Sequence, residues 1–184
     1  PLGVMKSAPP TLTPDPGPTF WNAVHKIGFG DTTKLVLWIE GDMPYFTLLS
    51  TTGLFGDWWI RKFAGHTVVI GYSGGRESRT LTGMTEDQAI KVGIDELAGG
   101  LGEQIRSQIV HARHFTWSDD PFARGSYSYP TVGMGDVRKD LQLSLKNTLY
   151  YAGEASNASQ DSATVHGALD EGVRVAREIL ALEK

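Results

Sequence analysis

The sequence predicts an α+β globular fold. Three observations carry that prediction: short β-branched and aromatic segments punctuated by glycines, an oxygen-capped helix near the middle, and a long helical pattern at the C-terminal end. The first segment, Pro1 to Lys6, has neither an initiating Met nor a polar preamble. It runs into the Pro-rich stretch Ser7 to Pro18, as a chain begun in mid-fold would. Thr19 to Ile27 has helical spacing, with Phe20, Val24 and Ile27 on one side, and stops at Gly28-Phe29-Gly30, which reads as a turn. Thr33 to Ile39 reads as a strand closed by Gly41, Asp42 and Pro44. Tyr45 to Thr51, Trp58 to Phe63 and Thr67 to Tyr72 are further strands, separated by Gly53, Gly56 and Gly65, and together suggest an antiparallel meander.

The middle helix starts at Thr85-Glu86-Asp87-Gln88, where a hydroxyl cap is followed by acidic residues that suit the positive end of the helix dipole. Ala89, Val92, Ile94 and Leu97 continue it to Gly99-Gly100. Ser107 to Trp117 reads as a strand, Ser118 to Met134 as a polar and aromatic loop, and Leu149 to Ala152 as a short buried strand. From Ala163 onward, Val165, Ala168, Leu169, Gly172, Val173, Ala176, Ile179 and Leu180 recur at helical spacing. Asp170, Glu171, Arg174, Arg177 and Glu178 fill the other side. The expectation is a helix with its apolar side buried.

Composition narrows the function classes. Of 184 residues, 40% are hydrophobic, and 17 Lys and Arg stand against 21 Asp and Glu, a net charge of −4. That is the make-up of an ordinary globular chain, without the basic excess of a nucleic-acid binder or an apolar run of the roughly 18 residues that mark a membrane span. A soluble protein is expected, with the cytoplasm as the default compartment although no residue pattern fixes it. The absence of Cys removes disulfides, thiolate metal sites and cysteine nucleophiles. A Gly-rich dinucleotide loop needs the order strand, loop, helix. Gly28-Phe29-Gly30 and Gly99-Gly100-Leu101-Gly102 stand in the wrong context. His111 and His114 face opposite sides of a strand, so no metal site is expected. Composition and periodicity by themselves leave the function open.

Two segments carry more. One is Trp117-Ser118-Asp119-Asp120-Pro121-Phe122-Ala123-Arg124-Gly125-Ser126-Tyr127-Ser128-Tyr129-Pro130. The other is Leu149-Tyr150-Tyr151-Ala152-Gly153-Glu154-Ala155, followed by Ala163-Thr164-Val165-His166-Gly167-Ala168-Leu169. Together they resemble the C-terminal part of the flavin amine oxidases, the family of polyamine oxidases, monoamine oxidases and flavin-dependent histone lysine demethylases. Pro1-Leu2-Gly3-Val4-Met5-Lys6 resembles that family's opening strand, and Gly28-Phe29-Gly30 with Lys34 its Gly-Phe-Gly…Lys segment.

The resemblance implies an α/β architecture in which a mixed substrate-domain sheet is joined by the last strand and helix of an FAD-binding domain. Residues 1–116 would belong to the substrate-binding domain and 117–184 to the FAD-binding domain, whose N-terminal Rossmann half does not occur in these 184 residues. It implies oxidation of a polyamine-like or other alkyl amine to an imine, with O2 reduced to hydrogen peroxide, in partnership with the missing half or a separate chain. Alone, this chain would be inactive and prone to self-association through apolar surface. Related alternatives are an L-amino-acid oxidase, a flavin desaturase or a non-catalytic module of the same fold.

By the same resemblance Lys34 is the catalytic residue, acting on flavin N5 through water, and Tyr127 walls the amine site, where its ring attracts an ammonium. Trp117, Ser126, Gly153, Glu154, Thr164 and Val165 contact FAD, with the helix start at Thr164 and Val165 offering amides to charge on the flavin. Phe122 stands where relatives often carry Trp, a departure from the pattern.

Overall fold

A computed structural model describes residues 1–41, 43, 49–63 and 65–182. In chain order the elements are α1 (Leu2–Ser7), α2 (Pro18–Lys26), β1 (Gly28–Phe29), β2 (Thr32–Ile39), β3 (Leu49–Ser50), β4 (Asp57–Phe63) and β5 (His66–Gly74). Then come α3 (Gly75–Thr82), α4 (Glu86–Leu101), α5 (Ile105–Gln108), β6 (Ile109–Thr116), β7 (Ser128–Tyr129), α6 (Arg138–Leu141), a 3-10 turn at Glu154–Ser156 and α7 (Val165–Ala181). They form two compact units, residues 31–119 and residues 1–30 with 120–184. This grouping differs from a division at residue 116, because the first 30 residues pack with the C-terminal segment.

The unit of residues 31–119 is a five-stranded sheet in the order β3-β4-β5-β2-β6. Every pairing among its described strands is antiparallel, so the sheet is not mixed as expected. The segment β3-β4-β5 is the meander the glycine spacing predicts; most of Tyr45 to Thr51, together with Asp42 and Pro44, lies outside the described residues. Alternation on β2 buries Thr33, Leu35, Leu37 and Ile39 and leaves Lys34, Val36 and Trp38 half-buried. The buried side packs with Trp58, Ile60, Val69 and Leu81 against Ala89, Leu97 and Ala98 of α4.

Helix α4 begins as its sequence demands. The Thr85 hydroxyl accepts from Gln88 N and the Gln88 side chain accepts from Thr85 N, a reciprocal cap. A Cβ on Gly93 would collide with the Leu35 side chain, so only glycine allows the helix this close to the sheet. Glu96 pins the turn before β4, accepting from Leu54 N at 2.6 Å and Phe55 N at 3.0 Å. Burial pushes its carboxyl above the usual range, and the two amides oppose that shift.

The other unit has its own core of Leu2, Phe20, Ala23, Val24, Ile27, Val137 and Leu141. Here the structure corrects four expectations. Pro1 to Lys6 is not a strand: Met5 N donates to Pro1 O and Ala8 N to Val4 O, closing helical turns that bury Leu2. Gly28-Phe29 is not a turn but a short strand paired with β7, and Gly28 is required because a Cβ there would overlap the Tyr129 ring. Leu149 to Ala152 forms only an isolated bridge from Leu149 to Leu145, since no strand among the described residues pairs with it.

The fourth correction concerns α7. Its apolar side is exposed, with Val165 88%, Leu169 66% and Leu180 60% accessible, while Gly167 and Glu171 are the buried positions. Inside this chain the helix packs by its polar side. Glu171 accepts from Gln142 Nε2, Ser156 Oγ and the Arg174 guanidinium at 2.8 to 3.0 Å. Among the described residues no helix is long and apolar enough to cross a membrane.

Candidate active site

In the unit of residues 1–30 and 120–184, a pocket of about 490 Å³ is walled by Phe20, Phe29, Tyr151, Ser126, Gly153 and Glu154. Phe20 and Tyr151 stack with ring centroids 4.3 Å apart. The Tyr150 and Tyr151 hydroxyls are buried without a hydrogen-bond partner among the described residues, and burial raises the Tyr151 phenol above its ordinary pKa. Among the described residues, its chain neighbours aside, no atom lies within 4 Å of where a Gly153 Cβ would sit, so the backbone there is open to approach.

Glu154 is tied down rather than loose. Its Oε1 accepts from Ser128 N at 3.1 Å and its Oε2 from Ser128 Oγ at 2.6 Å. Ser126, two residues before Ser128, is fixed to the β1 side of the strand pair, donating from its N and Oγ to Gly30 O. Tyr127 carries its ring 41% exposed, with its carbonyl accepting from Gly30 N.

The start of α7 is assembled by its preceding loop. Ala163 adopts φ 65°, Thr164 Oγ1 donates to Asp161 O and accepts from Gly167 N, and His166 meets Asp161. Thr164 thus caps the helix with its own side chain, as a hydroxyl in that place does. One amide of the first turn is satisfied in this way. Among the described residues no acceptor faces the N–H groups of Val165 and His166. The helix is held to the segment after Glu154 by Asn157 Nδ2 donating to Gly167 O and Ser156 Oγ donating to Glu171.

Lys34 and Trp117 belong to the sheet unit. Lys34 projects from the half-buried face of β2, between Tyr72 on β5 and Phe115 on β6, and its ammonium has no hydrogen-bond or ion-pair partner among the described residues. Trp117 N donates to Thr32 O, and the ring is 43% exposed. His111 and His114 point to opposite faces of β6, as the strand period requires. Burial lowers the His114 pKa below its ordinary value, with Glu86 and Asp119 opposing. Phe122 is 81% exposed.

The structure therefore brings Ser126, Gly153 and Glu154 to one pocket and sets Thr164 and Val165 at a helix start tied to the segment after it. Ser128, Arg138, Tyr150 and Tyr151 were not singled out as site residues. Ser128 and the two tyrosines lay inside the quoted motifs, whereas Arg138 carries no local signal at all.

Comparison with known proteins gives this arrangement its class. Residues 1–180 match the family of flavin containing amine oxidoreductases, and the chain belongs to that family. It is similar to a lysine-specific histone demethylase 1 homolog 3 from Arabidopsis thaliana, 27% identical over an alignment covering 98% of this chain and 12% of that protein. Polyamine oxidase 2 of the same plant is also 27% identical, with 97% of this chain and 37% of that protein covered. Among solved structures, a cyclohexylamine oxidase from Brevibacterium oxydans IH-35A shares the fold, with TM-score 0.78, 18% identity, and coverage of 99% of this chain and 42% of that one. The chain thus spans well under half the length of these relatives.

FAD is the cofactor of this family, and the residues present suit it. A carboxylate beside uncovered backbone can accept from sugar or ribityl hydroxyls, and ring-lined walls suit a flat apolar body. Free amides at the α7 start suit an electron-rich carbonyl or anionic edge.

Proposed function

We propose that this chain forms the C-terminal portion of an FAD-dependent amine oxidase that acts on an alkyl amine, polyamine-like in class, once an N-terminal FAD-binding half completes it. FAD, when bound, would supply the acceptor for a hydride equivalent from the carbon beside the amine nitrogen and the route of those electrons to O2, so that the products would be an imine and hydrogen peroxide. The observation that carries the proposal is the convergence of Ser126, Gly153 and Glu154 on one pocket in a chain whose family is shown.

Each residue has a role its placement permits. Glu154 accepts from cofactor hydroxyls, Gly153 lets backbone approach them, and Ser126 lines the same wall. Thr164 shapes the helix start so that the Val165 amide is directed outward, stabilising negative charge on the ring system. Lys34, unpaired on its strand, holds the water through which the amine oxidation or the reoxidation by O2 is assisted. Tyr127 and Trp117, both partly exposed aromatics, serve amine and cofactor respectively. The sheet of residues 31–119 contributes the substrate side. The bare apolar side of α7 and the unpaired segment Leu149 to Ala152 are the surfaces the N-terminal half covers.

The relatives support amine chemistry by name: polyamine oxidase, peroxisomal N(1)-acetyl-spermine/spermidine oxidase and histone demethylase homologues. The test is to combine this chain with its upstream polypeptide and measure bound flavin absorbance and amine-dependent peroxide. Flavin retention with peroxide release on adding spermine, spermidine or a simple alkylamine is expected. Flavin that binds but is reduced by no amine overturns the oxidase reading and leaves a non-catalytic module. Lys34→Met is expected to slow flavin reduction or reoxidation at least about tenfold with FAD content unchanged.

A further inference from the structure

Arg138 is the buried charge for which the proposed function has no use. It sits on α6 with 6% of its surface exposed, and burial pushes its guanidinium below the usual range while the charge of Glu154 opposes the shift. Its Nη1 donates to Ser128 Oγ at 2.8 Å and to Ala155 O at 2.7 Å. Its Nη2 is buried with no hydrogen-bond partner among the described residues. Replacing a buried cation by an apolar residue of similar volume is often neutral or stabilising, so the gain in stability does not by itself account for it.

The direction of the hydrogen bonds gives one. Ser128 Oγ has a single proton. Because the oxygen accepts from Arg138, that proton is turned away from the guanidinium and towards Glu154 Oε2, 2.6 Å away. The cation also polarises the hydroxyl and strengthens its bond to the carboxylate. Ser128 N donates to the other oxygen, Oε1, so both oxygens are held by one residue that is itself locked by Arg138. Arg138 also donates to Ala155 O, fixing the backbone of the residue that follows Glu154. Each Glu154 oxygen keeps a lone pair for a further donor.

We propose that Arg138 is a positioning residue: through Ser128 and the Ala155 carbonyl it holds the Glu154 carboxylate in the orientation that receives the cofactor's hydroxyls. This rests on the reading of Glu154 as a ligand of FAD. Arg138 touches no cofactor and acts only through its neighbours. Both bonds leave one nitrogen, Nη1, so a lysine ammonium that reached the same point could restore them, and only its different length and flexibility limit the recovery.

The test measures FAD affinity by flavin fluorescence on the chain combined with its upstream polypeptide, for Arg138→Met, Arg138→Lys, Glu154→Gln and the double variant Arg138→Met/Glu154→Gln. Arg138→Met is expected to weaken FAD binding about tenfold, and Arg138→Lys to recover part of that loss. The double variant is expected to fall within about twofold of Glu154→Gln, because two residues acting through one carboxylate are not additive. If Glu154→Gln weakens binding but Arg138→Met does not, or if the two effects multiply, the positioning role is overturned while the Glu154 assignment stands. If Glu154→Gln leaves FAD affinity unchanged, both fall. Should Arg138→Met fail to fold, Arg138→Gln removes the charge and shortens the reach to Ser128 while keeping a polar amide, and leaves the direct Ser128–Glu154 bonds in place. A loss of about fivefold or more supports the proposal, and an unchanged affinity ends it.

Discussion

Helices α4 and α7 are both amphipathic, and the two units use them in opposite ways. Helix α4 turns Ala89, Gly93, Leu97 and Ala98 into the sheet and leaves its charged side to solvent. Helix α7 turns Glu171 inward and leaves Val165, Leu169, Val173 and Leu180 uncovered. The sheet unit completes its own hydrophobic layer, whereas the other unit closes only one side of its last helix. An apolar stripe states that some surface will cover it, and the chain that does so need not be the same one.

The largest expected effect tests the self-sufficient side. Trp58 is fully buried in the sheet core, and Trp58→Ala should cost about 3–5 kcal/mol in urea unfolding. A loss below about 1 kcal/mol would mean that the sheet unit is not held by this layer. Glu171→Ala comes next. It strips the acceptor from Ser156, Gln142 and Arg174 and should cost about 2–3 kcal/mol, more than any apolar residue on the exposed side of the same helix.

A smaller effect follows from His114, whose folded-state pKa lies below its ordinary value of about 6.5 because burial penalises the charged ring. A group with a lowered folded pKa contributes stability above its unfolded pKa and loses it as pH falls through the folded one. Unfolding midpoints of the sheet unit should therefore drop on acidification below about pH 6.5, and His114→Gln should flatten that drop. An unchanged slope in the variant would remove His114 as its source.

The smallest effect sharpens the contrast most. Leu169→Lys should change the stability of this chain by no more than about 0.5 kcal/mol, since the residue is 66% exposed, yet it should block association with the upstream polypeptide in a pull-down. A large loss of stability in the chain alone would show that the stripe is already covered.

Much of the fold was legible where the signal is local. Thr85 with Gln88 announced α4 to the residue, and the glycine-bounded β-branched runs announced β2, β4 and β5. Helix α3 was missed because Gly75 to Thr82 carries only Leu81 as an apolar mark. The pairing of Gly28-Phe29 with Ser128-Tyr129 joins segments a hundred residues apart, and two residues are too few for any period to show. For the candidate site, Gly153 and Glu154, which line the pocket, stand inside a motif legible in the sequence. The relay from Arg138 was not legible there, because its bonds join three separate segments, α6, β7 and the turn at Glu154–Ser156, that only the fold brings together.

By itself, then, the sequence determined where helices begin and which residues alternate on a strand, because caps and side-chain periods act within four residues of one another. Only the tertiary structure decided which side of α7 turns inward, that the opening segment coils rather than extends, and that one arginine grips the site's carboxylate through a serine. Those outcomes depend on surface supplied by distant chain, and burial, unlike a cap, has no local code.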